Sequence, residues 1–472
     1  MTHKMRWVVF TLVAIAQFMV VLDVSITNVA LPSIKTDLAF ATDSTLQWVI
    51  TAYALAFGGF LLLGGRAADL FGRRRTLLIG MSCFTFFSFL IGISQSSLML
   101  IVLRALQGLS AALMSPSALS IVLTTFEEGA ERNRALGFWT LVATGGASVG
   151  LLLGGALTQY LGWRWNFFIN VPVGIAIASL IWRIVPVHEE EERARNLDIP
   201  GAVLVTSGLI TFVYAISEAP VWGWLSSPTL LTVALALVLL AGFVFNESRA
   251  KHPLMPLGIF KLPNIAGANL IMAPMSACVL GMFFISSLYI QTIWHYSPLL
   301  TGLSFLPFPI VLGLTSSLIP RFVTTYGYKR FLIAGPAVVA FAILLLTRLP
   351  ADGSYAVDLL PTLLLMPFGI GMTFMPITVA ATSGVPGHEA GLASGLITTS
   401  QQMGGALGLA ILSGVATSIT AATMNPKAVA SLVQGFDRAY FFAVAFALFA
   451  LFLAITVIKQ QGSVTASRVV EL

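Results

Sequence analysis

Charge is what this chain has least of: charged residues make up 9% of its 472 positions. A soluble domain carries about a quarter. Hydrophobic residues reach 57%, more than a water-soluble chain of this size can enclose, because such chains split into domains with polar skins. Lipid is the solvent that accommodates this balance. Only two cysteines occur, Cys83 and Cys278, both inside apolar runs. They argue against a disulfide framework and against a metal site. No G-x-x-x-x-G-K-[ST] loop is found, which argues against ATP as the energy source, and no H-E-x-x-H pair, which argues against an intramembrane metalloprotease. The net charge of +6 invites a nucleic-acid reading. The basic residues sit in short loops between apolar runs, however, so membrane topology accounts for them and no nucleic-acid partner is expected.

What is present is a series of long apolar runs. A helix crossing the ~30 Å hydrocarbon core needs roughly 20 apolar residues. Runs of that kind fall near 7–31, 46–65, 76–94, 98–123, 136–158, 165–186, 199–217, 229–246, 266–291, 299–320, 330–348, 357–381, 393–417 and 437–458. Fourteen spans predict an all-α integral membrane protein. The first run is too long for a signal-peptide core and lacks a small-residue cleavage site, so it is expected to be retained. An even span count puts both termini on one side. With the N-terminus in the cytoplasm, 19 of the 25 Lys and Arg residues fall inside and 5 outside, with Arg104 left within a span. That bias predicts a multi-pass protein with both termini cytoplasmic, and the plasma membrane of a bacterium is its expected location.

The two ends of the chain echo each other. Gly72-Arg73-Arg74-Arg75 follows span two, and Gly327-Tyr328-Lys329-Arg330 follows span ten. Pro116 pairs with Pro376, Gly137 with Gly395, and Gly145-Gly146 with Gly404-Gly405. Six spans, an inserted pair and six more spans fit this offset. The expected units are a six-helix bundle at 7–186, a linker with the two-helix insertion at 187–260, and a second bundle at 261–460. The acidic-basic stretch at 188–198 is read as a solvated linker. Repeats of this kind are typical of secondary transporters, whose substrate site lies between the halves near the midplane.

Asp23 is the sharpest single feature. It lies 16 residues beyond Trp7, roughly 24 Å along a helix at ~1.5 Å per residue. A charged residue at the centre of a span costs ~2.5–3.5 kcal/mol on insertion scales. Desolvation favours the neutral acid, so such a group can take a proton and release it when water or a cation approaches. The bland alternative is a structural acid bonded to Thr27 or a neighbouring helix. Arg104 lies six residues into span four, with Gln107 on the same face. It is either a fixed positive charge that tunes a neighbouring acid or a side chain snorkelling to the outer surface.

The loop from Gly65 to Arg75 holds one acid, Asp69, among Arg66, Arg73, Arg74 and Arg75, with Gly72 for a tight turn. It serves topology, and a contact of Asp69 with the arginines or a helix N-terminus would latch that side in one state. Gly146, Gly150 and Gly154 recur every four residues, a bare stripe for close helix packing, with Gly155 beside it. The same stretch matches G-x-S-x-G, but that hydrolase pattern needs a strand before it, and here it lies within an apolar helix. Gln291, Gln401 and Gln402 either line a polar cavity or bond neighbouring helices. Glu218 is expected at the outer interface.

Several of these residues form a familiar series. Leu22-Asp23-Val24-Ser25-Ile26-Thr27-Asn28-Val29-Ala30-Leu31-Pro32 resembles the first-helix signature of the fourteen-span drug:proton antiporters of the major facilitator superfamily. The segment 65–75 resembles the superfamily's gating motif, departing from it at Ala67 and Leu70. Arg104-Ala105-Leu106-Gln107-Gly108 resembles the fourth-helix motif, and 146–155 the fifth-helix antiporter motif, with Gly150-Leu151 where Gly-Pro is usual. Trp163-Arg164-Trp165-Asn166-Phe167-Phe168-Ile169-Asn170-Val171-Pro172 is also similar. The resemblance covers 22–172 densely and the second half only by hydropathy and repeat. It implies two bundles around a central cavity, alternating access, and export of a small molecule in exchange for protons. It places proton coupling on Asp23 and Arg104. It also implies a monomer driven by the proton gradient without a cofactor. Two other readings remain: proton-driven uptake on the same fold, and a non-transporting membrane sensor or scaffold.

Overall fold

The computed structural model describes residues 2–126, 130–186, 198–251, 253–262, 264–382, 385, 390–423 and 429–459. The expected linker at 188–197, the end of the chain after Lys459 and the side chain of Asp69 lie outside the described residues. Long helices dominate: α1 (His3–Asp37), α2 (Trp48–Phe71), α3 (Arg73–Gly92), α4 (Ser97–Thr125), α5 (Ala130–Tyr160), α6 (Asn170–Ile184), α7 (Ile199–Trp222), α8 (Ser227–Arg249), α9 (Ile265–Thr292), α10 (Pro307–Tyr326), α11 (Tyr328–Leu346), α12 (Leu360–Thr382), α13 (Ala390–Ala421) and α14 (Val429–Thr456). Thirteen segments among the described residues are long and apolar enough to cross a membrane. The remaining expected span, 136–158, lies inside the 31-residue α5. Apolar side chains face lipid on many of these helices, as at Leu98, Leu231 and Phe452, which is the arrangement a bilayer demands.

The packing repeats. Helix α1 packs on α5, α2 on α4, α3 on α4, and α3 on α6. Eight helices later the same pairs recur as α9 on α13, α10 on α12, α11 on α12, and α11 on α14. The bundles meet through α1 with α9, α2 with α13, and α5 with α10, a set that maps onto itself under the same shift. The inserted α7 and α8 pack on each other, and α7 also touches α2 and α13. The architecture is therefore six helices, two, and six.

Small residues make the close approaches. A Cβ added at Gly150 would stand 2.8 Å from Ser25 Cβ, and one at Gly154 would stand 2.9 Å from Ile26 Cα. Gly146 faces Phe18 and Val21. The stripe on α5 therefore seats α1 along three successive turns. Gly155 belongs to a different contact: a Cβ there would meet Pro298 O at 2.7 Å, on the short helix Pro298–Ser304. On α13, Gly404 and Gly408 face Ala273 and Ala277 of α9, the repeat of the α1–α5 seam.

The expected loop at 65–75 is mostly helix. Helix α2 continues to Phe71 and α3 begins at Arg73, with Gly72 alone between them at φ 94° and ψ 128°. Only glycine visits that region readily. Gly327 makes the same one-residue hinge between α10 and α11 at φ 76° and ψ 156°. The α14 boundary also moves: the helix starts at Val429, ahead of the expected 437, and takes Asp437 and Arg438 into its regular part. Gly435 permits this by letting α14 lie against Ala416 O and Thr420 of α13.

Candidate functional site

The two charges singled out in the sequence meet. Arg104 Nη1 donates to Asp23 Oδ2 at 2.5 Å. Both side chains are almost fully enclosed, with side-chain exposures of 1% and 0%. The snorkelling reading of Arg104 is thereby overturned: its guanidinium has polar partners inside the bundle and no need of the surface. Its Nε donates to the Val49 carbonyl at 2.9 Å and its Nη1 also to Gln107 Oε1 at 2.5 Å.

Three further polar side chains complete the knot. Gln107 Nε2 donates to Asp23 Oδ1 at 2.9 Å and to Ser88 Oγ at 2.8 Å. Asn170 Nδ2 donates to Asp23 Oδ1 at 3.1 Å. The Asp23 carboxylate thus accepts from three side chains on two other helices, α4 and α6. Thr27, the expected bland partner, donates to the Asp23 backbone carbonyl instead, at 2.7 Å. Two rings flank the cation: the guanidinium carbon lies 4.4 Å from the Tyr53 ring centroid and 5.7 Å from that of Phe167. The Tyr53 hydroxyl is buried and has no hydrogen-bond partner.

The local sequence explains the convergence. Gly108 lets α4 approach α2 so closely that a Cβ there would stand 2.3 Å from Tyr53 O. That approach brings the Val49 carbonyl and the Tyr53 ring onto Arg104. The α5 glycines draw α1 inward. The short helix Trp165–Phe168 and the start of α6 place Phe167 and Asn170 over the pair.

The other expected residues are scattered. Gln291 Nε2 donates to Val29 O at 3.1 Å, and Ser287 Oγ donates to Asn28 O at 3.0 Å. Leu299 N donates to Gln159 Oε1 at 3.3 Å. These bonds join the bundles at the end opposite the N-terminus, so Gln291 is part of a seam. Gln402 packs across α2, its Cβ 2.8 Å from where a Cβ on Gly58 would stand. Gln401 is partly buried with no contact to the knot, and Glu218 lies partly exposed near the end of α7. At the other end, Arg74 Nη2 donates to the Trp182 carbonyl in the last turn of α6. Lys329 Nζ does the same to Ile455 O in the last turn of α14, at 3.2 Å. A cation at a helix C-terminus complements the exposed carbonyls there. Gly65 lies beside Pro116, and Arg66 Nη1 donates to Pro253 O at 2.5 Å.

Sequence reasoning missed Ser88, Tyr53 and Asn170 as members of the site. Asn170 stood in a quoted motif, and its polarity inside an apolar run was the available signal. Ser88 and Tyr53 had none, because single Ser and Tyr residues are common in membrane helices. Also missed was Asp437, partly buried in α14, whose Oδ1 lacks a hydrogen-bond partner.

Comparison with known proteins agrees with this architecture. A sequence profile described as Major Facilitator Superfamily matches residues 13–409. The chain is 41% identical over 453 residues to the puromycin resistance protein of Streptomyces alboniger, covering 95% of this chain and 90% of that one. It is 39% identical to the cephamycin export protein of Amycolatopsis lactamdurans, covering 84% and 82%. It is 35% identical to a multidrug resistance protein of Mycobacterium tuberculosis, covering 89% and 78%. Among solved structures, a POT family transporter aligns with a TM-score of 0.69 at 17% identity over 96% of this chain and 97% of that one. An inward-facing bacterial homolog of the human lysosomal transporter Spinster aligns with a TM-score of 0.67 at 15% identity, covering 97% and 98%. Those two likenesses concern the fold.

Proposed function

Because the chain belongs to the major facilitator superfamily, we propose that it is a proton-coupled exporter of small amphipathic compounds, with Asp23 as the proton carrier. One observation carries this reading: a carboxylate enclosed in the bundle interior, held by Arg104, Gln107 and Asn170 from two other helices. An enclosed carboxylate is stable while its donors stay in place, and loses its reason to stay charged when they withdraw. Proton binding at Asp23 removes the charge that Arg104 neutralises. Arg104 is then held by the Val49 carbonyl, Gln107 and the two flanking rings. The protonated and ionised forms therefore favour different arrangements of α1 against α4 and α6, which is what alternating access requires.

The seam at the far end supports the same cycle. With the N-terminus cytoplasmic, as the positive-inside bias indicates, the bonds of Ser287, Gln291 and Gln159 hold the bundles together at the outer end, and they are the contacts that must break for substrate to leave outward. On this reading 7–186 and 261–460 are the moving bundles, and a monomer suffices. The proton gradient is the energy source, no further cofactor is required, and no catalytic residue is assigned. Gln401 and Gln402 are taken as cavity-side groups of the second bundle, and Gly65, Asp69, Gly72, Arg73 and Arg74 as the cytoplasmic gate. The names of the relatives point to antibiotics as the substrate class, with puromycin and cephamycin among the compounds to try first.

Direction is tested in cells that lack their own exporters. Expression should lower accumulation of a labelled antibiotic, and an uncoupler should restore it. Accumulation that rises on expression and falls with the uncoupler would establish uptake instead.

A further inference from the structure

The inserted helix pair holds a second carboxylate site, far from Asp23 and unused by the cycle above. Asp198 caps the start of α7: its Oδ1 accepts from Gly201 N at 2.9 Å. Asn246 Nδ2, in the last turn of α8, donates to both Asp198 oxygens at 3.0 and 2.8 Å. Glu247, the next residue, turns toward the same point. Its Oε2 accepts from Met255 N at 2.9 Å, while its Oε1 is buried and has no donor. Asp198 Oδ2 and Glu247 Oε1 both lie within 2.7 Å of where a Cβ on Gly201 would stand, so glycine is what lets them share the space. The two carboxyl groups therefore point into the same small space beside Gly201. Asp198 is 8% exposed and Glu247 4%.

We propose that Asp198 and Glu247 form a second proton-binding site, in which Glu247 carries the proton and donates it from Oε1 to Asp198 Oδ2. The assignment of the proton follows from the partners. Asp198 already accepts from two donors, Gly201 N and the Asn246 amide, so its charge is compensated. Glu247 has one donor on Oε2 and none on Oε1, so the neutral acid suits it better. Two bare carboxylates crowded into one space and out of water repel strongly, and one of them binds a proton. The charged groups facing Glu247 are Asp198 from α7 and Arg66 from α2. Arg249 stacks on Phe245 instead, 4.2 Å from its centroid, and Lys251 is exposed.

The site ties three segments together. The segment 253–256 is bonded to Glu247 through Met255 and to Arg66 through Pro253. Arg66 follows Gly65 in the last two turns of α2, six residues before the Gly72 hinge. Loss of the proton to water leaves two like charges, drives the ends of α7 and α8 apart and loosens the segment that holds Arg66. Proton occupancy at this site therefore sets how firmly the inserted pair is docked on α2. In the orientation proposed above, the site senses the cytoplasm. The existence of the site does not depend on Asp23 or on the direction of transport.

The test is infrared spectroscopy of the full-length protein in lipid nanodiscs, titrated from acid to alkaline pH. The wild type should show a protonated-carboxyl carbonyl component that disappears on alkaline titration. Glu247→Gln should lose one carboxyl's worth of that component, and Asp23→Asn should keep the part that Glu247→Gln removes. A component as large in Glu247→Gln as in the wild type would overturn the proposal. Asp198→Asn provides a second arm, because Asn caps a helix as well as Asp. With the neighbouring charge removed, the Glu247 component should titrate at a pH lower by about one unit or more. A midpoint that stays or rises would also overturn the proposal. Failure of proton coupling at Asp23 would leave both results unchanged, so the two readings fail separately.

Discussion

Arg104 and Asp23 stand 81 residues apart in the chain and in direct contact in the fold, one on α4 and one on α1. Neither position is tolerable in a bilayer without the other, and the structure brings them together with no exposure to speak of. Breaking such a pair from one side costs about 3–5 kcal/mol, because the partner is left charged and buried. Arg104→Ala and Asp23→Ala should each destabilise the detergent-solubilised protein on that scale. The double variant should lose clearly less than the sum, since neither charge is stranded. Thermal unfolding of the four proteins measures this, and strict additivity would show that the contact carries no coupling.

Tyr53 separates stacking from hydrogen bonding. Its ring lies under Arg104 and its hydroxyl bonds to nothing. Tyr53→Phe should keep full transport and equal or slightly higher stability, because a buried unpaired hydroxyl is removed. Tyr53→Leu removes the ring and should lose about 0.5–2 kcal/mol of stability, with a lower transport rate. Equal behaviour of the two variants would mean that the ring does nothing for the cation.

The α1–α5 seam makes a steric prediction. Gly150→Val and Gly154→Val place side chains where Ser25 and Ile26 already stand, and overpacking of this kind costs about 1–3 kcal/mol. Gly145→Val, five residues before Gly150, meets nothing within 4 Å and should be tolerated. Melting temperature and transport of the three variants decide the matter; a similar loss at Gly145 would mean that helix propensity, rather than the seam, is responsible.

How much of this was legible in the sequence differs from element to element. The span count came from run length alone, because a bilayer requires uninterrupted apolar stretches and the chain supplies them. Asp23 and Arg104 were legible because charge inside such a stretch is expensive. Their pairing was not, since nothing in the sequence says which faces of α1 and α4 turn toward each other. That depends on Gly108 and on the α5 glycines, which act through contacts with other helices. The loop expected at 65–75 was overestimated for a related reason: its charged residues look like a loop, yet they are helical, and only the backbone angle of Gly72 separates α2 from α3. The last span was expected to begin at Asp437 because the charged pair Asp437-Arg438 marks an edge, and helical packing at Gly435 starts α14 at Val429 instead.

The far-end seam predicts a shift in conformational balance. Ser287→Ala with Gln291→Leu removes two cross-bundle hydrogen bonds, each worth about 1 kcal/mol. The state closed at that end should lose population by roughly ten- to thirtyfold against the open one, at about tenfold per 1.4 kcal/mol. Cysteines at 159 and 299, in a background without Cys83 and Cys278, report closure by cross-linking. Cross-linking should be slower in the double variant, and an unchanged rate would remove the seam from the gate.

The central claim is that Asp23 carries the transported proton. It is tested most directly in proteoliposomes with a pH-sensitive dye enclosed. On the wild-type protein, addition of an amphipathic substrate to one side should move protons across the membrane, and an imposed pH gradient should concentrate the substrate. In Asp23→Asn, which keeps the size of the side chain but removes its titratable proton and one acceptor oxygen, both should fall to the level of empty liposomes while substrate binding persists. Gradient-driven transport at the wild-type rate in Asp23→Asn would contradict the account.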